Sequence, residues 1–222
     1  MPETATPKKK KKRIKTSLVV MSRMDYEIVK RVFELLPQAG IDDEEFSFLL
    51  GKRNKYFFDL LNPTEKDKFK NDQLDVIPTI LNINHRDLFP NDIAPGETVR
   101  LHKPSKTVYD DKIIYSHIVE KIDGSISKPI VWTKKIVKGI RKKENKDVRL
   151  EVLNLVETGY FFERRRALQI YLKIKKSIPD FSPIDLQKSL SILIRQIKGK
   201  RKALLVQEIK DGCYYFKPLD LV

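Results

Sequence analysis

Residues 46–60 read Phe46-Ser47-Phe48-Leu49-Leu50-Gly51-Lys52-Arg53-Asn54-Lys55-Tyr56-Phe57-Phe58-Asp59-Leu60, and this stretch decides the fold expected for the chain. Phe46, Leu49 and Leu50 recur at three- and four-residue steps, the apolar face of a helix. Gly51 sits where a tight turn must follow. Tyr56, Phe57 and Leu60 then give the inward face of a second short helix, closed by Asn62-Pro63. A protein that reads a duplex needs such a pair, in which one helix crosses the backbone and the other enters the major groove.

Working outward, the neighbouring segments also read as helices. Ile28, Val29, Val32, Phe33, Leu35 and Leu36 form a broad stripe over residues 25–36, with Asp25 as N-cap and Pro37 and Gly40 as the stop. Asp42 followed by Glu45 is a capping-box signature for the helix that enters the 46–60 stretch. A fourth helix spans about 72–81, with Leu74, Ile77 and Leu81 inward and Pro78 as an irregularity. Leu88 and Phe89 add a last apolar turn.

On these residues, 46–60 resembles the Cro/lambda-repressor (Xre-type) helix-turn-helix family, and the likeness extends over about 25–90. The resemblance implies a repressor-like bundle whose reading helix, 53–61, brings Arg53, Asn54, Lys55, Phe58 and Asp59 to DNA. Arg and Lys favour guanine edges or phosphates, and Asn favours adenine. Lys66, Lys68 and Lys70, in the loop after that helix, are then placed to grip phosphate.

The rest of the chain carries other signals. Residues 91–106 read as an irregular connector holding Pro95-Gly96 and Pro104. Ile113–Ile122 and Ser125–Trp132 flank Asp123-Gly124, a strong hairpin signal, and Pro129 confines the second strand to an edge. A basic stretch over 134–149 includes Arg141, Lys142 and Lys143. Helical stripes follow at 152–156, 167–174 and 186–197, the last preceded by Ser182-Pro183, a favourable start. Leu204–Ile209 and Cys213–Phe216 read as strands around Asp211-Gly212. Helices closed by a terminal hairpin outline a winged helix, weakly, with Arg164, Arg165, Arg166, Lys200 and Arg201 as cations for phosphate.

The fold class expected is therefore mainly α. A disordered basic arm (1–23) precedes a helix-turn-helix domain (24–90), a connector with a β-hairpin (91–133) and a basic, winged-helix-like C-terminal domain (134–222).

Charge points to the partner. Lys and Arg total 45 against 30 Asp and Glu, a formal +15 that a polyanion would neutralise. The expectation is a regulator of transcription on double-stranded DNA, acting as a homodimer, in the cytoplasm on the nucleoid. In a eukaryotic source Lys8–Arg13 would instead read as a nuclear-localisation run. Two readings stay beside it: an RNA- or ribosome-associated protein, and a protein-interaction module of an antitoxin or phage-defence system. A lone cysteine, Cys213, and no apolar run of ~18 residues point to a reducing compartment and no membrane span.

No enzyme, cofactor or metal site is expected. His85, His102 and His117 stand apart, and no glycine-rich phosphate loop occurs. A remote alternative is a PD-(D/E)xK-like nuclease on Asp180, Glu208 and Lys210, although Pro179-Asp180 joins two expected helices.

Overall fold

A computed structural model describes residues 18–136, 145–195 and 202–219, together with the backbone of 9–14. The chain runs through strands β1 (Lys9–Ile14) and β2 (Val19–Ser22), then helices α1 (Arg23–Leu35) and α2 (Asp43–Leu49). Four short helices follow: α3 (Tyr56–Leu60), α4 (Asn71–Leu74), α5 (Ile77–Leu81) and α6 (His85–Leu88). Next come strands β3 (Thr98–Tyr109), β4 (Lys112–Glu120) and β5 (Ile130–Lys135). Helices α7 (Lys146–Glu157), α8 (Ala167–Lys175) and α9 (Pro183–Ile194) precede a final hairpin of β6 (Leu205–Lys210) and β7 (Cys213–Pro218).

The chain is mixed α/β, which corrects the mainly α expectation. Two compact units share it. The first takes residues up to 35, 57–78 and 82–141; the second takes 36–56, 79–81 and 142–222.

The first unit is built on an antiparallel sheet in the order β1-β3-β4-β5, with β2 also on β3. Because β1 pairs with residues 105–109 of β3 and β2 with 98–101, the two share one edge and the sheet is four strands wide. The segment read as a connector thus contains the longest strand. Thr98, Val99, Thr107 and Val108 are β-branched residues that suit a pleated surface. Pro104 hides this in the sequence, yet it falls where the register shifts between His102 and Ser105, beside Lys103 at φ 49°. A bulge is where a missing N–H is tolerated. Lys9–Ile14, read as part of a disordered arm, is a strand on β3.

The expected hairpin forms around Gly124, but β5 begins at Ile130, after Pro129, and lies at the sheet edge. Alternation along β4 turns Tyr115, His117 and Val119 to the buried face. α1 lays Tyr26, Val29 and Val32 on that face and packs on β2 and β3. Arg23, at the start of α1, pairs with Glu97 at 2.7 Å and Asp92 at 3.1 Å, fixing the helix to the entry of β3.

The expected repressor-like bundle is not formed. α1 packs on the sheet of the first unit, whereas α2 belongs to the second. In the second unit α2 packs against α8 and α9. Its start follows the capping box read from the sequence: Asp42 accepts from the Glu44 and Glu45 amides at 2.9 and 2.8 Å, and its own amide donates to Glu45. The other Glu45 oxygen accepts from the Ile184 amide at 3.2 Å, which ties α2 to the first turn of α9.

Apolar residues at helical spacing close this second core: Val148, Val152 and Leu155 from α7, Ile170 and Ile174 from α8, Leu186, Leu190 and Leu193 from α9. Asp211 and Gly212 at the β6–β7 turn have φ of 53° and 71°, and positive φ at both central residues suits the twist of a tight hairpin. Arg165, just before α8, exchanges backbone hydrogen bonds with Phe216 at 3.0 and 2.9 Å and adds a third strand position to the hairpin.

Candidate nucleic-acid interface

A concave surface of the second unit is formed by α9, the β6–β7 hairpin and residues 52–54. Each is fixed to another. The Leu204 amide donates to Leu193 O at 2.9 Å, joining the hairpin to the end of α9. Gly51, at φ 70°, ends α2 in a left-handed turn, and its carbonyl accepts from the Tyr214 amide at 2.8 Å. A Cβ at Gly51 would meet Tyr214 O at 3.4 Å, an ordinary contact, so it is the positive φ that favours glycine.

Lys52 continues the anchor. Its Nζ donates to Gly212 O at 2.6 Å and lies 5.6 Å from the Tyr56 ring centre, and only 9% of the residue is exposed. A buried charge therefore holds the hairpin turn. Asn54 Oδ1 accepts from Gln187 Nε2 at 2.8 Å, linking the segment to α9. Between these parts lies a cavity of about 300 Å³ with Arg53, Asn54, Gln187, Ser191 and Gln207 among its polar walls. Leu190, Ile194 and Phe216 form its apolar floor.

Of the residues read from the sequence, Arg53, Asn54 and Lys55 are exposed, and the first two line this cavity. Phe58 does not belong to an outward face. It is 4% exposed and stacks on Tyr115 with ring centres 4.7 Å apart, inside the first unit. The expected reading helix 53–61 is the five-residue α3, with Phe57, Phe58 and Leu60 buried. Such a helix has almost no surface to offer a groove. Asp59 is half-buried on it. Lys66, Lys68 and Lys70 are exposed on the first unit, and Lys68 pairs with Asp25 at 3.3 Å.

The three consecutive arginines have partners within the second unit. Arg164 pairs with Glu208, which also takes Lys217 at 3.4 Å. Arg165 donates to Tyr160 O at 3.0 Å and pairs with Glu163 at 2.9 Å. Arg166 donates to the Tyr215 hydroxyl at 2.8 Å. They hold the hairpin against the start of α8, in addition to any charge they offer solvent. Arg141, Lys142, Lys143, Lys200 and Arg201 lie outside the described residues.

The sequence reading missed Gln187, Ser191, Gln207 and the role of Lys52. Gln187 and Ser191 stand four apart on α9 and so share one helical face, a signal that was present. Glu208, offered for a metal, is paired with cations, and among the described residues no cluster of three His, Cys, Asp or Glu side chains is suited to a metal ion.

The ionisable groups shifted furthest belong to the first unit. His117 is 1% exposed, shares a hydrogen bond of 3.0 Å with the Tyr26 hydroxyl and meets the Trp132 ring edge-on. Burial lowers its pKa to about 4, so the imidazole is neutral. Burial likewise raises the Tyr26 and Tyr115 phenols above their ordinary value. On the same sheet Glu120 is held below the usual carboxylate range, first by its hydrogen bond with His102 and further by Arg100 at 3.3 Å.

Comparison with protein-family models, with curated proteins and with solved structures gave no match to this chain. Among the described residues no helix is long and apolar enough to cross a membrane.

Proposed function

We propose that this chain binds double-stranded DNA through its second unit, as a regulator of transcription. One observation carries the reading: the order α7, the Arg165 strand position, α8, α9 and the β6–β7 hairpin is that of a winged helix. In that arrangement α9 is the helix for the major groove and the hairpin is the wing. Twelve residues make α9 about 18 Å long, enough to lie in a groove about 12 Å wide.

Chemistry at the surface supports it. Gln187 and Asn54 are amides of the kind that pair with adenine, and Arg53 favours guanine or phosphate. The net charge of +15 supplies the sequence-independent attraction. Relative to the 53–61 helix expected from the sequence, the reading surface moves to α9, with Arg53 and Asn54 kept beside it.

Selection of bound sequences from random duplexes, with the full chain over a salt series, tests this. The expected result is a defined consensus. Asn54→Ala or Gln187→Ala should relax it at one or two base pairs, and a homodimer would give it two-fold symmetry. A steep salt dependence with no consensus, unchanged by either variant, would overturn it.

A further inference from the structure

One edge of the sheet in the first unit is open. In the order β1-β3-β4-β5, the last strand has β4 on one side and, among the described residues, no strand on the other. The register fixes which of its backbone groups are unused. Residues 130–135 pair with 117 back to 112 without a shift, and the Ile136 amide donates to Asp111 O at 2.6 Å, so 136 and 111 are a hydrogen-bonded pair. Hydrogen-bonded and non-hydrogen-bonded positions alternate along an antiparallel ladder. Ile130, Trp132 and Lys134 therefore bond to β4, whereas the N–H and C=O of Val131, Thr133 and Lys135 point away from the sheet. Such a row of groups is a template for another strand.

Edges are commonly guarded by Pro, bulges or Lys, and the guards present here decide what this edge admits. Pro129 has no N–H and ends the usable row at Val131, but no bulge interrupts β5 itself. Lys128 and Lys135, both exposed, stand at the two ends of the row. Apolar surface lies along it: Val131 is 55% exposed, and Ile126, bridged to Glu120 of β4, is 69% exposed. From 121 to 136 the one acid is Asp123, and its carboxylate accepts from the Ser125 amide within its own turn. The edge is thus positive and locally uncompensated. A second copy of the chain brings another +15 and is repelled, whereas an acidic strand is attracted. We propose that β5 takes up an acidic, extended segment of a partner protein as an added strand. Its β-branched residues lie opposite Val131 and Thr133, and its carboxylates lie beside Lys128 and Lys135. Main-chain hydrogen bonds then supply affinity, and the charges at the ends supply selection.

The probe is a capped, labelled peptide of strand length, with a Val-Thr repeat at its centre and Glu at both ends, titrated with the full chain and read by fluorescence anisotropy. Two control peptides accompany it: one with Lys in place of Glu, and one N-methylated through its centre. Thr133→Pro removes an outward N–H that the sheet itself does not use, and Lys135→Glu reverses the charge at one end of the row. The Glu-flanked peptide should bind, and each control and each variant should weaken that binding by roughly tenfold or more. Hydrogen exchange of the complex should show new protection at Val131, Thr133 and Lys135. No binding of the Glu-flanked peptide, equal binding of its Lys-flanked counterpart, or binding that survives both N-methylation and Thr133→Pro would overturn the proposal. Self-association of the chain alone, lost in Thr133→Pro, would also overturn it, by giving the edge to a second copy. Thermal melts show whether the variants fold, and the N-methylated peptide tests the ladder on the unaltered chain. Because β5 belongs to the first unit, none of these outcomes bears on the DNA-binding reading of the second.

Discussion

The two units of this chain handle polar chemistry in opposite ways. In the first, the sheet and α1 enclose Tyr26, Tyr115, His117 and Trp132 as a core of aromatic and titratable groups, and burial keeps those groups uncharged. In the second, the core is made mainly of aliphatic and phenylalanine side chains, and amide and cationic side chains gather at a cavity between α9, the hairpin and residues 52–54. Buried neutral groups stabilise a scaffold and offer solvent nothing to bind. A half-open polar wall around an apolar floor is what a ligand requires. On the proposed reading recognition falls to the second unit, whereas the reading helix expected from the sequence, 53–61, takes residues from both.

The largest effect is expected in the first unit. Phe58→Ala removes a buried ring stacked on Tyr115 and should cost about 4 kcal/mol of stability, read as a shift of the denaturant midpoint. DNA affinity of the folded fraction should be unchanged. A loss of affinity without loss of stability would return Phe58 to the interface that the sequence suggested.

Next in size is the pH dependence of His117. An imidazole with a pKa of about 4 in the fold and about 6.5 when unfolded lets the unfolded chain bind the extra proton between those values. Stability should therefore be full above about pH 6.5 and fall as pH drops toward 4, by about 3 kcal/mol in all. His117→Phe should flatten that part of the stability profile, whatever it does to the plateau. An unchanged slope would show that the imidazole is not held neutral.

In the second unit, Lys52→Met tests the anchor of the hairpin turn. It removes the charge-assisted hydrogen bond to Gly212 O and should cost about 2 kcal/mol. Hydrogen exchange should rise at the β6–β7 turn first. Smallest of the set is Arg53→Ala, expected to weaken DNA binding across all sequences and to reduce the salt slope by about 1. A change of consensus instead would mean that Arg53 reads a base.

Much of the second unit was legible because its signals are local. Ser182-Pro183 starts α9, Asp42 with Glu45 starts α2, and Asp211-Gly212 turns the hairpin, each through backbone chemistry within a few residues. The first unit was misread because its organisation is long-range. β3 pairs with strands from both sides of the sequence, and Pro104 disguised it as a loop until the bulge gave the proline a place. The helical spacing of α1 was read correctly, but no spacing reports whether a helix packs on helices or on a sheet. Phe58 was misplaced for a related reason: in a helix as short as α3, three buried positions out of five leave no amphipathic pattern to read. The role of Lys52 was hidden because it begins the polar run Lys52-Arg53-Asn54-Lys55 and its partner, Gly212 O, is 160 residues away.

Hydrogen exchange of the full chain, with and without duplex DNA carrying the selected site, would show which unit meets DNA. Protection should appear in α9, in the β6–β7 hairpin and over residues 51–55, with the β3–β5 sheet unchanged. Protection confined to the sheet and α1, with α9 and the hairpin exchanging as before, would contradict it.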